Sequence, residues 1–239
     1  MTEYMTAFYQ TAVNALPDLL TGLQTSLLLT VLSLLLAFTL ALLLTIHLTI
    51  KPTTATGKVG HYLTRGYITL FTGTPLLIQI YLIYYGPGQF SGIKEHVPFI
   101  WNIISNAWFC AILALTLNSA AYTTLLFRGA VKAIPQGQWQ SCEALGMSTA
   151  QTLRVLLPYA IKRALSSYSN EVVLIFKSTS LAYTITLMEV MGYAKRIFGN
   201  NYDLTIFIIA GIIYLLVNSL LTIMMRFIER KALLFERRN

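Results

Sequence analysis

Charge is scarce in this sequence. Of 239 residues only 11% are charged, 17 basic and nine acidic, against 56% hydrophobic and a mean hydropathy of +0.64. So few charges cannot wet the surface of a soluble globule, so most of the chain must face lipid. Cysteine is nearly absent too. Cys110 lies in an apolar segment and Cys142 in a polar one. Neither belongs to a C-x-x-C or Cys/His cluster, and there is no H-E-x-x-H, so metal chemistry has no support and a disulfide between the two has no shared side. Lys and Arg are missing before Lys51. A cleavable signal peptide opens with positive charge, so the first apolar segment reads as a retained span. The net charge of +8 would suggest nucleic acid in a soluble protein; in a membrane chain it is a topological signal instead.

What is present is a set of long apolar segments. Hydropathy and breaker residues predict an all-α integral membrane protein, a single domain over 1–239, with five transmembrane helices over about 22–50, 67–85, 105–127, 167–191 and 204–225. The first is longer than the roughly 20 residues a span needs, so it tilts or extends past the bilayer. Thr72-Gly73-Thr74-Pro75 interrupts the second, which frees carbonyls at membrane depth and requires neighbouring protein or a wet cavity. Lys94 and Glu95 lie in the loop that follows, with Trp101 and Trp108 placed as a headgroup-level belt. Asn118, Ser119, Thr123 and Thr124 give the third span a face for close helix contacts. The fourth carries Glu171, Lys177, Ser178, Thr179, Ser180 and Glu189, a pattern that does not suit a lipid-facing helix.

Loops of a five-span chain alternate sides. One side collects thirteen Lys/Arg, including Lys51, Arg128, Arg154, Arg237 and Arg238; the other has three, Lys94, Lys195 and Arg196. The positive-inside bias then places the N-terminus outside and the C-terminus in the cytoplasm.

The polar stretch 134–163 reads as helix, turn, helix on the cytoplasmic side. Pro135 suits a first helical turn, and Gln138, Trp139, Cys142 and Leu145 recur at helical spacing. Gly146 supplies a left-handed stop, and Ser148 with Gln151 forms a capping box for the second helix, which Pro158 should kink. An exposed Trp139 on such an elbow suits docking to a soluble partner; the plain alternative is a surface connector.

Glu143-Ala144-Leu145-Gly146 followed by Leu156-Leu157-Pro158 resembles the coupling loop of bacterial ABC importer permeases. Gln140, Ser141 and Cys142 stand where that family's E-A-A falls, and the interval from Gly to Pro is one residue short. Arg65-Gly66-Tyr67 with Leu70 to Leu77, Asn118 to Tyr122, Arg128-Gly129, Ile134-Pro135, Gly137-Gln138 and Lys177 to Leu181 resemble the polar-amino-acid permeases of histidine, glutamine and arginine importers. The runs from Arg65 to Phe90, from Ser166 to Tyr193 and from Glu229 to Asn239 look most like the M-type permease subunits of the arginine branch.

The resemblance implies a subunit of the bacterial inner membrane that forms half of a translocation path, paired with a homologous permease subunit, two cytoplasmic ATPase subunits and a periplasmic binding protein. No cofactor is expected in this chain, which is not itself an enzyme: it has no G-x-x-x-x-G-K-[ST] loop, so ATP and Mg belong to the ATPase partner. Gln138, Trp139, Gln140, Glu143, Ala144, Gly146 and Pro158 take the ATPase-coupling role. Thr74, Pro75, Asn118, Tyr122, Leu125, Lys177, Thr179 and Ser180 take the path or gate. Leu125 stands where several relatives carry an acid, so the resemblance implies that the partner subunit reads the charge of a cationic substrate. Lys177 is read either as a strut paired with Glu171, Glu189 or a partner group, or as part of the path itself. Two other classes compete: an ion-driven secondary transporter, which should show paired repeats, and an intramembrane hydrolase built on a Ser with His47 or His61.

Overall fold

The computed structural model describes residues 2–90, 92 and 96–233, so Lys94, Glu95, Arg237 and Arg238 lie outside the described residues. The helices are α1 (Thr2–Thr49), α2 (Ala55–Gly73), α3 (Leu76–Tyr85), α4 (Pro98–Ile104), α5 (Ala107–Lys132), α6 (Gln136–Ala144), α7 (Thr149–Ser178), α8 (Val190–Asn201) and α9 (Thr205–Ala232). Short 3-10 segments lie at Pro87–Gln89 and Thr179–Ile185, and no strand occurs among the described residues. Three helices, α1, α5 and α9, are long and apolar enough to cross a membrane; the total is up to five if each of two bent pairs is one span. The molecule is an all-α integral membrane fold.

Helix α5 is its axis. Asn106 caps it, its side-chain oxygen accepting from the backbone N–H of Trp108 at 2.9 Å and of Phe109 at 3.2 Å. Small and polar side chains, among them Ala111, Ala114, Ser119, Ala120 and Thr123, are buried along it. They let α1, α2, α3 and α7 pack around it closely, because dispersion rather than hydrophobic exclusion drives helix association in lipid. Helix α1 answers with its own small-residue stripe, Ser26, Ser33, Ala37, Ala41 and Thr45, while Leu28, Leu35 and Leu43 face outward.

The bounds differ from the sequence expectation in instructive ways. Helix α1 begins near residue 2, not 22, and its 48 residues span about 72 Å, over twice the ~30 Å hydrocarbon core. Its extra length is docked: Asp18 pairs with Arg196 of α8 at 2.7 Å, and Thr11 donates to Asp203 at 3.1 Å. The Asp203 carboxyl is held below the usual range by hydrogen bonds from Thr205. The expected second span, 67–85, is not one helix. Its halves belong to α2 and α3, which bend by 109° at Thr74-Pro75. The third and fifth segments run on to Lys132 and Ala232.

The largest correction concerns stretch 134–163 and the fourth segment, 167–191. Helix α7 joins them as one helix from Thr149 to Ser178 with Pro158 inside it. Proline removes the hydrogen bond to the Arg154 carbonyl, at a cost of about 3 kcal/mol in a helix interior. Burial of Leu156, Leu157 and Ala160 against Val131, Ile134 and Cys142 offsets that cost, and the helix continues past the proline. It ends instead at Ser178, and a 3-10 segment plus Thr186, left-handed at φ +73°, leads into α8 at 48° to it.

Candidate functional site

The elbow between α6 and α7 is built as the sequence expects. Gly146 sits at φ +69°, with open space around it, so conformation and not crowding selects glycine there. Met147 N–H donates to the Cys142 carbonyl at 3.0 Å and Gly146 N–H to Glu143 at 2.9 Å, closing the end of α6. Both halves of the Ser148/Gln151 capping box are present, at 2.8 and 3.4 Å. Gln140, Glu143, Ala144, Gly146 and Pro158 are exposed, and Gln138 is half-buried. Trp139 is not the fully exposed anchor expected. It is half-buried, one side packed on the cluster of Val131, Cys142 and Leu156, because a short helix cannot stand off without an apolar contact. Cys142 is buried beneath it.

A second polar centre surrounds the break at Thr74-Pro75. Gln79 on α3 is buried and its amide nitrogen donates to the carbonyls of Phe71 (2.9 Å) and Thr74 (3.0 Å) and to the Thr74 hydroxyl (2.8 Å). Asn118 on α5 donates to the Gln79 side-chain oxygen at 3.0 Å and to Phe71 at 3.2 Å. The Tyr122 hydroxyl reaches the Thr72 carbonyl at 3.1 Å, and that of Tyr67 the Leu117 carbonyl at 2.6 Å. Carbonyls released by the break are thereby satisfied inside the protein, as membrane depth demands. Gln79 was missed from the sequence although a lone amide in the run Leu76–Tyr85 is the available signal.

A third centre is the carboxylate of Glu189, fully buried at the start of α8. One oxygen accepts from Gly192 N–H at 2.8 Å; the other accepts from Met191 N–H at 2.9 Å, from the Tyr214 hydroxyl at 2.7 Å and, more weakly, from Ser26 at 3.5 Å. It caps α8 and ties it to α1 and α9. Gly22 lets α1 approach this turn: a Cβ there would lie 2.7 Å from the Glu189 carbonyl carbon and from Val190 N.

Glu189 is thus spent on a cap. Lys177 forms no ion pair with it or with Glu171 among the described residues, and it is exposed near the end of α7, so the intrachain strut is not formed. The Thr179 hydroxyl donates to Phe176 at 2.7 Å and is buried; Ser180 donates to the Lys177 carbonyl at 2.7 Å. Of the eight residues expected along a path, Asn118 and Thr179 are interior, Thr74 and Ser180 half-buried, and Pro75, Tyr122, Leu125 and Lys177 open. Tyr122, Leu125 and Gly129 share one face of α5, an exposed stripe along its C-terminal half. The His47 and His61 rings lie with centroids 4.7 Å apart, tilted by 44°, and neither is hydrogen-bonded to a serine among the described residues.

Residues 53–233 match the family described as "Binding-protein-dependent transport system inner membrane component". The arginine ABC transporter permease protein ArtM of Escherichia coli (strain K12) is 71% identical over 178 residues, 74% of this chain and 80% of that protein. Its counterpart of the same name in Haemophilus influenzae (strain ATCC 51907 / DSM 11121 / KW20 / Rd) is 61% identical over 172 residues, 72% of this chain and 75% of that one. Among solved structures, an amino acid ABC transporter crystallised with histidines superposes with a TM-score of 0.78 at 25% identity, covering 93% of this chain and 97% of that one. Elbow, broken helices and sequence together assign the chain: it belongs to the family of binding-protein-dependent transport system inner membrane components, the permease subunits of ABC importers.

Proposed function

We propose that this chain is a permease subunit of an arginine importer. The substrate reading rests on the 71% and 61% identical relatives, both described as arginine permeases. The mechanism rests on one observation: α7 is a single 30-residue helix running from the elbow at Gly146 to the polar turn at Thr179. Such a rod is about 45 Å long. An ATPase subunit that moves α6 moves the start of α7, and the rod carries that displacement to Lys177, Thr179 and Ser180 as a rigid body. Gln138, Trp139, Gln140, Glu143, Ala144 and Gly146 form the seat, with ATP and Mg held by the ATPase.

The partner arrangement is a homologous permease subunit, two cytoplasmic ATPase subunits and a periplasmic binding protein, with the N-terminus periplasmic and the elbow in the cytoplasm. The open stripe of Tyr122 and Leu125, beside Thr74-Pro75, is the surface offered to the path, and the homologous subunit supplies an acid that Leu125 does not. The rigid elements between stripe and elbow make alternating access a change of packing between whole helices. Reconstitution in liposomes with the partner subunits tests this reading. Uptake of labelled arginine should require ATP on the elbow side and binding protein on the other. Uptake driven by an ion gradient without ATP would replace the importer with a secondary transporter.

A further inference from the structure

Where α1 gives way to polar chain, its last turn and the first turns of α7 enclose an open groove of about 580 Å³. That lies within the range of about 300–1,000 Å³ typical of small-molecule pockets. Ile46, Ile50, Leu153, Leu157 and Pro158 make an apolar wall, and Arg154 is the one charged residue in the lining. Arg154 is exposed, and no hydrogen bond or ion pair engages it among the described residues. Lys51, also exposed, follows Ile50 at the same end. An apolar trough with uncompensated positive charge at its mouth, set where a membrane helix reaches the headgroup level, matches an amphipathic anion.

We propose that this groove holds an anionic phospholipid, with an acyl chain against Ile46, Leu153 and Leu157 and the phosphate at Arg154. The apolar lining of the groove selects a lipid over a free phosphate, because an inorganic anion would leave that wall facing water. The charge selects an anionic lipid over a zwitterionic one, since each basic side chain near the headgroup plane adds attraction to anionic lipid alone. The lipid would wedge α1 against the root of α7, the rod that the functional reading uses for coupling, and so would stiffen its pivot. The placement in the cytoplasmic leaflet rests on the orientation proposed above; the groove and its charge do not.

The test uses the full chain with its partner subunits, purified in detergent and titrated with phosphatidylglycerol or phosphatidylcholine while bound lipid is counted by native mass spectrometry. Phosphatidylglycerol should bind in preference, Arg154→Gln should weaken it about fivefold, and Arg154→Lys should restore most of the affinity. Ala150→Trp, a change at an exposed lining residue, should block the lipid without burying a new group in the core. Equal binding of the two lipids, or phosphatidylglycerol binding unchanged in both Arg154→Gln and Ala150→Trp, would overturn the proposal. Loss of the ATPase subunits from Arg154→Gln with lipid binding unchanged would give the groove to the ATPase instead. Failure of ATP-driven uptake by the wild type in every lipid would strike the importer reading and leave the lipid titration standing on its own.

Discussion

The Asn118 amide on α5 donates to the Gln79 side-chain oxygen at 3.0 Å, and through that contact the central helix holds the break between α2 and α3. Interhelical hydrogen bonds in membranes average only about 0.6 kcal/mol, so this contact alone would matter little. Gln79→Leu removes more than one bond: it also takes the side-chain donor from the Thr74 carbonyl and one of two from that of Phe71, which keeps Asn118. A loss of about 1–3 kcal/mol is expected, from orphaned buried groups. Thermal unfolding in detergent should show a lower midpoint for Gln79→Leu than for Asn118→Leu, which leaves Gln79 its other three bonds; equal midpoints would contradict this.

Glu189 serves as an N-cap and as the acceptor for Tyr214. Glu189→Ala should cost about 0.5–2 kcal/mol for the cap alone, with a further penalty for the orphaned Tyr214 hydroxyl. Glu189→Gln keeps an acceptor oxygen and should lose much less. If the two variants unfold together, the cap is not what stabilises this turn.

Glycine is required at one buried crossing and not at another exposed site. Gly22→Ala drives a Cβ to 2.7 Å from the backbone of Glu189 and Val190, which must then move. Overpacking of that kind costs about 1–3 kcal/mol. Gly199→Ala, with nothing within 4 Å, should change stability by no more than about 1 kcal/mol and in the favourable direction. The comparison of midpoints, and of membrane yield, is the measurement.

At the elbow, Gly146→Val places a β-branched residue at φ +69° and should strain the turn by about 1–2 kcal/mol. Assembly should survive, while hydrolysis proceeds without uptake. Trp139→Ala should weaken retention of the ATPase by about 2 kcal/mol if its open side is an anchor. Because its other side packs on Cys142 and Leu156, the unfolding midpoint of the isolated subunit should be read alongside. Normal ATPase stoichiometry and coupling in both variants would return the elbow to a plain connector.

Orientation is testable by cysteine labelling, and the structure decides which positions are fit for it. Cys142 is buried and would resist a probe from either side. Leu145→Cys, 77% exposed, and Asn200→Cys, also exposed, avoid that ambiguity. In intact cells an impermeant maleimide should label position 200 and spare 145; the opposite pattern would invert the proposed topology.

The sequence by itself determined the membrane class, because so few charges cannot cover a soluble surface. It also determined the elbow, since the left-handed Gly146 and the capping box from Ser148 to Gln151 act within a single turn. Thr74-Pro75 marked a break for the same local reason. What the break becomes, a 109° bend, depends on Gln79 and Asn118, which lie 39 residues apart along the chain. Pro158 carried a local signal to kink, and how far the helix runs past it, to Ser178, follows from burial of its neighbours against α5 and α6. Glu189 and Lys177 looked like partners by composition. Packing instead set the carboxylate opposite Ser26 and Tyr214, 163 and 25 residues away, and left the lysine open. Rules that close within one helical turn are written in neighbouring residues, whereas the pairing of buried polar groups follows from which helices meet, and only the tertiary structure decided that.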